Sequence, residues 1–338
     1  MKAFNKAMMM FVIMVIAAAL LVGGVVYYGA TRWKSPEARE VIIRSGSSLR
    51  GIASQLYDEK VIGTPKLFEI LARARGVSRG LRAGAYEFPA GSTLSEVLRK
   101  LASGDVKEYA FTVIEGWTID DIAAALVGQP YLAGPSVPEQ LARLAKDGGF
   151  VASVGVEDAP SLEGYLFPDT YLVEKPIEAS TLLRQLVGQF HKVWAGLDDI
   201  AKARTPLSKA EIVTLASIVE KETGAEGERP LVAAVFLNRL KKGMPLQSDP
   251  TIIYGLKGFD GNIRKTDITN PHKYNTYVHP GLPPGPIANP GKASLEAVLT
   301  PARVDYLYFV AKGDGTHHFS TTLSEHLAAV RTYQLRKP

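Results

Sequence analysis

Hydrophobic positions fall into three regimes along the chain. In the first, Ala7 to Thr31 ("AMMMFVIMVIAAALLVGGVVYYGAT"), no side chain is charged. A helix needs about 20 residues to cross a bilayer at 1.5 Å per residue. The run therefore predicts a membrane-spanning helix over 7–31, behind a short tail of residues 1–6. Tyr27, Tyr28 and Trp33 would form an aromatic belt at one interface. A cleaved signal peptide has an apolar core of only about 7–15 residues, so a retained anchor is expected. Lys2 and Lys6 precede the span and Arg32 and Lys34 follow it, so charge alone does not orient it. The polar, proline-containing stretch that follows reads as a linker over 32–39.

In the second regime, short apolar runs lead into a repeated turn. "VII", "AYEF" and "FTVI" precede "GSSLRGI" at Gly46, "GSTLSEV" at Gly91 and "GWTIDDI" at Gly116. Each reads as a strand, a tight glycine turn and a helix capped by Ser48, Thr93 or Thr118. The spacing is unequal, which excludes a solenoid. Residues 40–110 are expected to form a small α+β module, and 111–338 a larger α+β domain.

The third regime has the helical period. In "SKAEIVTLASIVEKET", Ser208 and Glu211 form a capping box, and Ile212, Leu215, Ala216 and Val219 make one apolar face. Gly224 is placed to end the helix as a left-handed cap. A second helix is expected over Arg229 to Leu240. "HPGLPPGPIANPG", His279 to Gly291, has too much proline for helix or central strand and reads as a stiff loop able to wall a cleft. "YLYFVAKG" and "HHFST" read as a hairpin around Gly313 and Gly315.

Composition narrows the classes. The 338 residues are 46% hydrophobic, with a net charge of +5 and no cysteine. That bounds a globular chain of one to three domains and excludes disulfides and thiolate chemistry. The positive balance suits an anionic polymer or a membrane surface. No nucleic-acid motif is present. His317 and His318 are adjacent, so a strand points them to opposite faces, and there is no H-E-x-x-H. No metal and no cofactor are expected, and no G-x-S-x-G elbow suggests a serine nucleophile.

The candidate chemistry is carboxylic. Glu220 and Glu222 end the Ser208 helix about 200° apart on the wheel, one on each flank of its apolar face. Both meet the negative end of the helix dipole, which raises a carboxyl pKa, as burial does. A glycosidic acid needs such a carboxyl, but a solvated helix end fits the spacing equally, and periodicity does not rank the two. Glu163, Asp169 and Asp249 are further carboxylates. Tyr274, Asn275 and Tyr277, with Gln247, supply rings and amides suited to a sugar.

Taken together, "SIVEKETG", "VFLNRL", "LQSDPTIIYGL", "YNTYVHPGLPPGPIANPG" and "LYFVA" resemble the MltG family, the membrane-anchored endolytic murein transglycosylases also called YceG-like proteins. "SGSSLRGIASQLYDEKVI" resembles the opening of a LysM-type peptidoglycan-binding module, without that module's usual second half. The resemblance implies a periplasmic lyase of the inner membrane that cuts nascent peptidoglycan strands and works beside peptidoglycan synthases. It places the catalytic acid at Glu222, followed by Thr223, rather than at Glu220, followed by Lys221. Glu220, Gln247, Asp249, Tyr274, Asn275, Tyr277 and Glu163 become substrate-contact candidates. The alternatives are a non-catalytic glycan-binding scaffold and a true hydrolase using Asp249 or Glu163 as base.

Overall fold

A computed structural model describes residues 2–130, 132–157, 159–256 and 258–335. The chain is α+β. It divides into one unit of Met1–Tyr109 with Leu172–Pro176 and another of Ala110–Tyr171 with Ile177–Pro338.

The first unit begins with α1 (Lys2–Arg32), in which Met8–Arg32 is long and apolar enough to cross a membrane. Four elements follow: β1 (Arg39–Ile43), α2 (Leu49–Asp58), α3 (Pro65–Ala74) and β2 (Gly84–Phe88). The strands pair antiparallel with Val41 opposite Tyr86. The period of two turns Val41, Ile43, Tyr86 and Phe88 inward, onto Ile52, Leu56, Phe68 and, from α4 (Leu94–Ser103), Leu98. Each such side chain contributes about 1.5–3 kcal/mol on burial. Strand β3 (Glu108–Val113) later pairs with β4 (Asp169–Glu174), and the boundary between the units passes through both strands.

The repeated turn forms three times. Gly46, Gly91 and Gly116 have φ of 77°, 86° and 76°, a region costly for any residue with a Cβ. Ser48 then caps α2, while Thr93 with Glu96 and Thr118 with Asp121 form capping boxes on α4 and α5 (Ile119–Val127).

In the second unit, α6 (Val137–Leu144), α7 (Gly148–Ser153), α8 (Ala179–Ala195) and α9 (Asp198–Arg204) precede α10 (Lys209–Glu222). Helix α10 starts at the expected Ser208–Glu211 capping box. Its burial exceeds a single stripe, because every residue from Ile212 to Val219 is buried. Two polar members tolerate this by bonding their own helix. Thr214 Oγ1 donates to the Ala210 carbonyl at 2.8 Å, and Ser217 Oγ to that of Thr214 at 2.7 Å. The helix does not end on a left-handed glycine. Thr223 is extended, its Oγ1 accepts the Ala225 N–H, and Gly224 is not among the positive-φ glycines.

Helix α10 packs against α11 (Arg229–Lys241) and α14 (Lys292–Leu299), beyond α12 (Asp249–Gly255) and α13 (Lys265–Ile268). The proline-rich segment 279–291 forms no helix or strand, as expected. It runs as a strap on α10: Ile287, Ala288 and Asn289 are buried, and the Ile287 N–H donates to Ser217 Oγ at 3.0 Å. The chain then forms the antiparallel hairpin β5 (Tyr308–Ala311) and β6 (His317–Ser320) and helix α15 (Leu323–Val330).

Candidate functional site

The two glutamates at the end of α10 have different surroundings. Glu220 points into protein. Its carboxylate accepts from Arg229 Nη2 at 3.3 Å, the Gly291 N–H at 2.9 Å and Ser294 Oγ at 2.8 Å, and the ion pair is buried on both sides. That arrangement ties α10 to the start of α11, to the strap and to α14, and it uses the carboxylate fully.

Glu222 instead lines a cleft of about 340 Å³. Gln247, Asp249 and Tyr277 stand in the same cleft, with Phe309 and Val310 of the hairpin. Ser248 Oγ donates to Glu222 Oε1 at 2.5 Å. Ser248 occupies the N-cap of α12 but makes no side-chain cap to that helix, because its hydroxyl is turned to Glu222. Burial raises the Glu222 carboxyl to about 7. The Ser248 bond and Arg239 work against that rise, and Asp249 adds to it.

The loop that presents Ser248 is held by local bonds. The Ser248 N–H donates to Thr276 Oγ1 at 3.0 Å, and Thr251 Oγ1 lies 2.9 Å from the same atom. Asn275 is buried, and its Nδ2 donates to the carbonyls of Asp267, Ile268 and Asn270. Arg239 forms part of the cleft wall. Its Nε donates to the Leu307 carbonyl at 2.7 Å and its Nη1 to that of Leu246 at 2.8 Å. Gln247 has a φ of 50°, a conformation uncommon outside glycine that a rigid surrounding must hold. Tyr277 donates to Asp249 Oδ1 at 2.7 Å. Burial and Asp249 push its own pKa up, so it remains a donor.

Glu163 and Tyr274 line a second cleft of about 860 Å³ in the same unit, with Tyr254, His272 and Lys221. Helix α12 takes part in both: Asp249 lines the first cleft, and Pro250 and Tyr254 line the second. Glu163 is buried and accepts from the Ile119 N–H at 3.0 Å, Asn289 Nδ2 at 3.2 Å and Tyr254 Oη at 3.2 Å. Burial outweighs the Ile119 and Tyr254 bonds and, with Asp120 adding to the rise, lifts its carboxyl to about 8. Asp169 is exposed and accepts from Gln189.

So the structure gathers Glu222, Gln247, Asp249 and Tyr277 in one cleft and Glu163 and Tyr274 in another. Glu220 and Asn275 are enclosed in protein. Arg239, His317 and His326 of the first cleft, and Ser248 buried behind Glu222, were not singled out as site residues from sequence. Ser248 carries a local signal, the "QSDP" stretch beside Asp249. Arg239 and the histidines lie far from Glu222 along the chain and reach it only by folding.

The chain has relatives among known proteins. The YceG-like family profile matches residues 41–332. The chain belongs to the YceG-like family. Its relatives include the endolytic murein transglycosylase of Bacillus subtilis strain 168, which is 36% identical over 309 residues, or 86% of this chain and 83% of that protein. The endolytic murein transglycosylase of Streptococcus pneumoniae serotype 2 strain D39 is 28% identical over 313 residues. That match covers 84% of this chain and 56% of the pneumococcal protein. The crystal structure of a yceG-like protein from Listeria monocytogenes, at 2.6 Å, superposes with a TM-score of 0.60 at 32% identity. It covers 86% of this YceG-like chain and 98% of its own.

Proposed function

We propose that this protein is an endolytic peptidoglycan lytic transglycosylase in which Glu222 serves as both acid and base. The observation that carries the reading is the buried carboxyl of Glu222 in an open cleft, an environment that keeps an acid protonated near neutral pH. The names of the Bacillus and pneumococcal relatives support the substrate class.

Glu222 gives its proton to the glycosidic oxygen between N-acetylmuramic acid and N-acetylglucosamine as the bond to muramic C1 breaks. The carboxylate then takes the proton of the C6 hydroxyl on the same muramic residue, whose oxygen closes on C1. The product end is 1,6-anhydromuramic acid, no water is consumed, and the acid is regenerated. Gln247, Asp249 and Tyr277 border this chemistry as sugar contacts. Tyr274 and Glu163 extend contact to a longer strand through the second cleft, which suits cutting within a strand. Neither cofactor nor metal is required.

Asp249 in the same cleft keeps one rival alive, a hydrolase with Asp249 activating water. Mass spectrometry of products from purified glycan strands separates the two, because a hydrolase end is heavier by one water. Anhydro ends are expected; reducing ends alone would overturn the lyase. No cleavage at all would favour a non-catalytic scaffold.

Residues 7–31 are read as a retained inner-membrane anchor with the rest of the chain in the periplasm, beside peptidoglycan synthases. The length and apolarity of the helix support this. A protein that carbonate washing strips from membranes would contradict it. For residues 40–110, the strand–helix–helix–strand order supports the LysM-like reading; loss of glycan affinity on trimming Ser47–Asp58 would test it.

A further inference from the structure

The cleft that holds Glu222 is also bordered by a histidine paired with a glutamate. The His317 N–H donates to Glu228 Oε1 at 2.9 Å, and its Nδ1 lies 2.7 Å from Oε2. A carboxylate only accepts, so Nδ1 carries the proton. Both side chains are nearly enclosed, at 13% and 14% exposure. Phe309 meets the imidazole edge-on at 5.4 Å. The ring is thus fixed in position and tautomer, while Nε2 has no hydrogen-bond partner among the described residues and His317 lines the cleft. The pairing is built into the chain leaving the acid: Glu228 ends the short 3₁₀ turn Glu226–Glu228 that follows Glu222 and Thr223.

A second imidazole borders the same cleft: His326 of α15 stacks on Tyr308 at 5.2 Å.

We propose that His317, held by Glu228, is a substrate-contacting residue of the Glu222 cleft, and that its Nε2 hydrogen-bonds a hydroxyl of the sugar bound there. A hydroxyl both donates and accepts, so it suits Nε2 whether the ring is neutral or charged. Glu228 acts through His317 as a positioning residue. The proposal rests on the transglycosylase reading for the identity of the sugar.

The test uses the full-length protein in detergent with purified glycan strands. His317→Asn keeps an amide N–H at the Nδ1 position for Glu228 but removes the nitrogen that faces the cleft. His317→Gln carries an amide nitrogen out toward the Nε2 position. Loss of one hydrogen bond to substrate predicts a fall in kcat/KM of about tenfold in the Asn variant at an unchanged melting temperature, with partial recovery in the Gln variant. Wild-type kcat/KM in His317→Asn overturns the proposal, as does an equal loss in both variants that tracks a lower melting temperature. Binding of N-acetylglucosamine–N-acetylmuramic acid oligomers to Glu222→Gln, with and without His317→Asn, reads the contact independently of turnover. Equal affinities overturn it. If the wild-type protein cuts no strand, the transglycosylase reading fails, and the binding comparison still decides the role of His317.

Discussion

Ser248 donates its hydroxyl hydrogen to Glu222 Oε1 at 2.5 Å instead of capping α12, the helix it begins. A residue type favoured at helix starts has been diverted to the carboxyl of the cleft, and that has a kinetic consequence. The bond favours the ionised form of Glu222 against the larger effect of burial. In Ser248→Ala the carboxyl should hold its proton to higher pH. The alkaline limb of the kcat/KM profile for anhydro-product release should therefore move upward. The cost in stability should be about 1 kcal/mol, as for one neutral hydrogen bond. A limb that stays in place or moves down would mean that Ser248 does not set the acidity of Glu222.

The two glutamates of α10 should separate cleanly. Glu222→Gln keeps the shape but not the proton. Anhydro-product release should fall by at least about 10²–10⁴-fold, with folding intact at neutral pH. Glu220→Gln disturbs a buried ion pair and weakens acceptor bonds to Gly291 and Ser294. It should lower stability by roughly 1.5–3 kcal/mol, and activity should fall only as folded protein is lost. Product assays paired with melting curves distinguish the roles. A well-folded but inactive Glu220→Gln beside an active Glu222→Gln would reverse them.

Stability should fall as pH rises through neutrality. The folded-state pKa of Glu222 is raised from 4.5 to about 7, so between those values the native state holds a proton that the unfolded chain has released. Its stabilising contribution is full below about 4.5 and is lost as pH passes through about 7. The effect is of order 1–3 kcal/mol. Glu222→Gln cannot ionise, so its melting temperature should exceed that of wild type most at pH 8 and least near pH 4.5. The opposite trend would indicate a carboxyl that is ionised and stabilised in the fold.

Glu163 should tolerate amide substitution near neutral pH. Burial raises its carboxyl to about 8, so it holds a proton there, while the Ile119 N–H and Asn289 Nδ2 donate to Oε1. The proton then belongs on Oε2, beside Tyr254 Oη, where the amide of Glu163→Gln can donate in its place. A urea midpoint close to that of wild type is expected at about pH 7. A midpoint lower by the equivalent of about 1–3 kcal/mol would show a carboxylate that is ionised in the fold.

Much of this architecture is local, and local features are legible in sequence. The apolar run of α1, the capping boxes at Thr93, Thr118 and Ser208, the glycine turns and the Tyr308–Ser320 hairpin follow from periodicity and turn chemistry within a few residues. The sequence also held both carboxylates of α10 in view, and the family resemblance favoured Glu222. What it did not determine was their surroundings, because these come from residues distant in the chain. Glu220 is claimed by Gly291 and Ser294, and Glu222 by Ser248 and the wall of Arg239 and His317. Tyr274 and Tyr277 lie three residues apart yet line different clefts, because the turn around the buried Asn275 separates them. A helical wheel gives the angle between two side chains but not what packs on each side. Only tertiary packing decided which carboxyl was enclosed by donors and which was left lining a cleft.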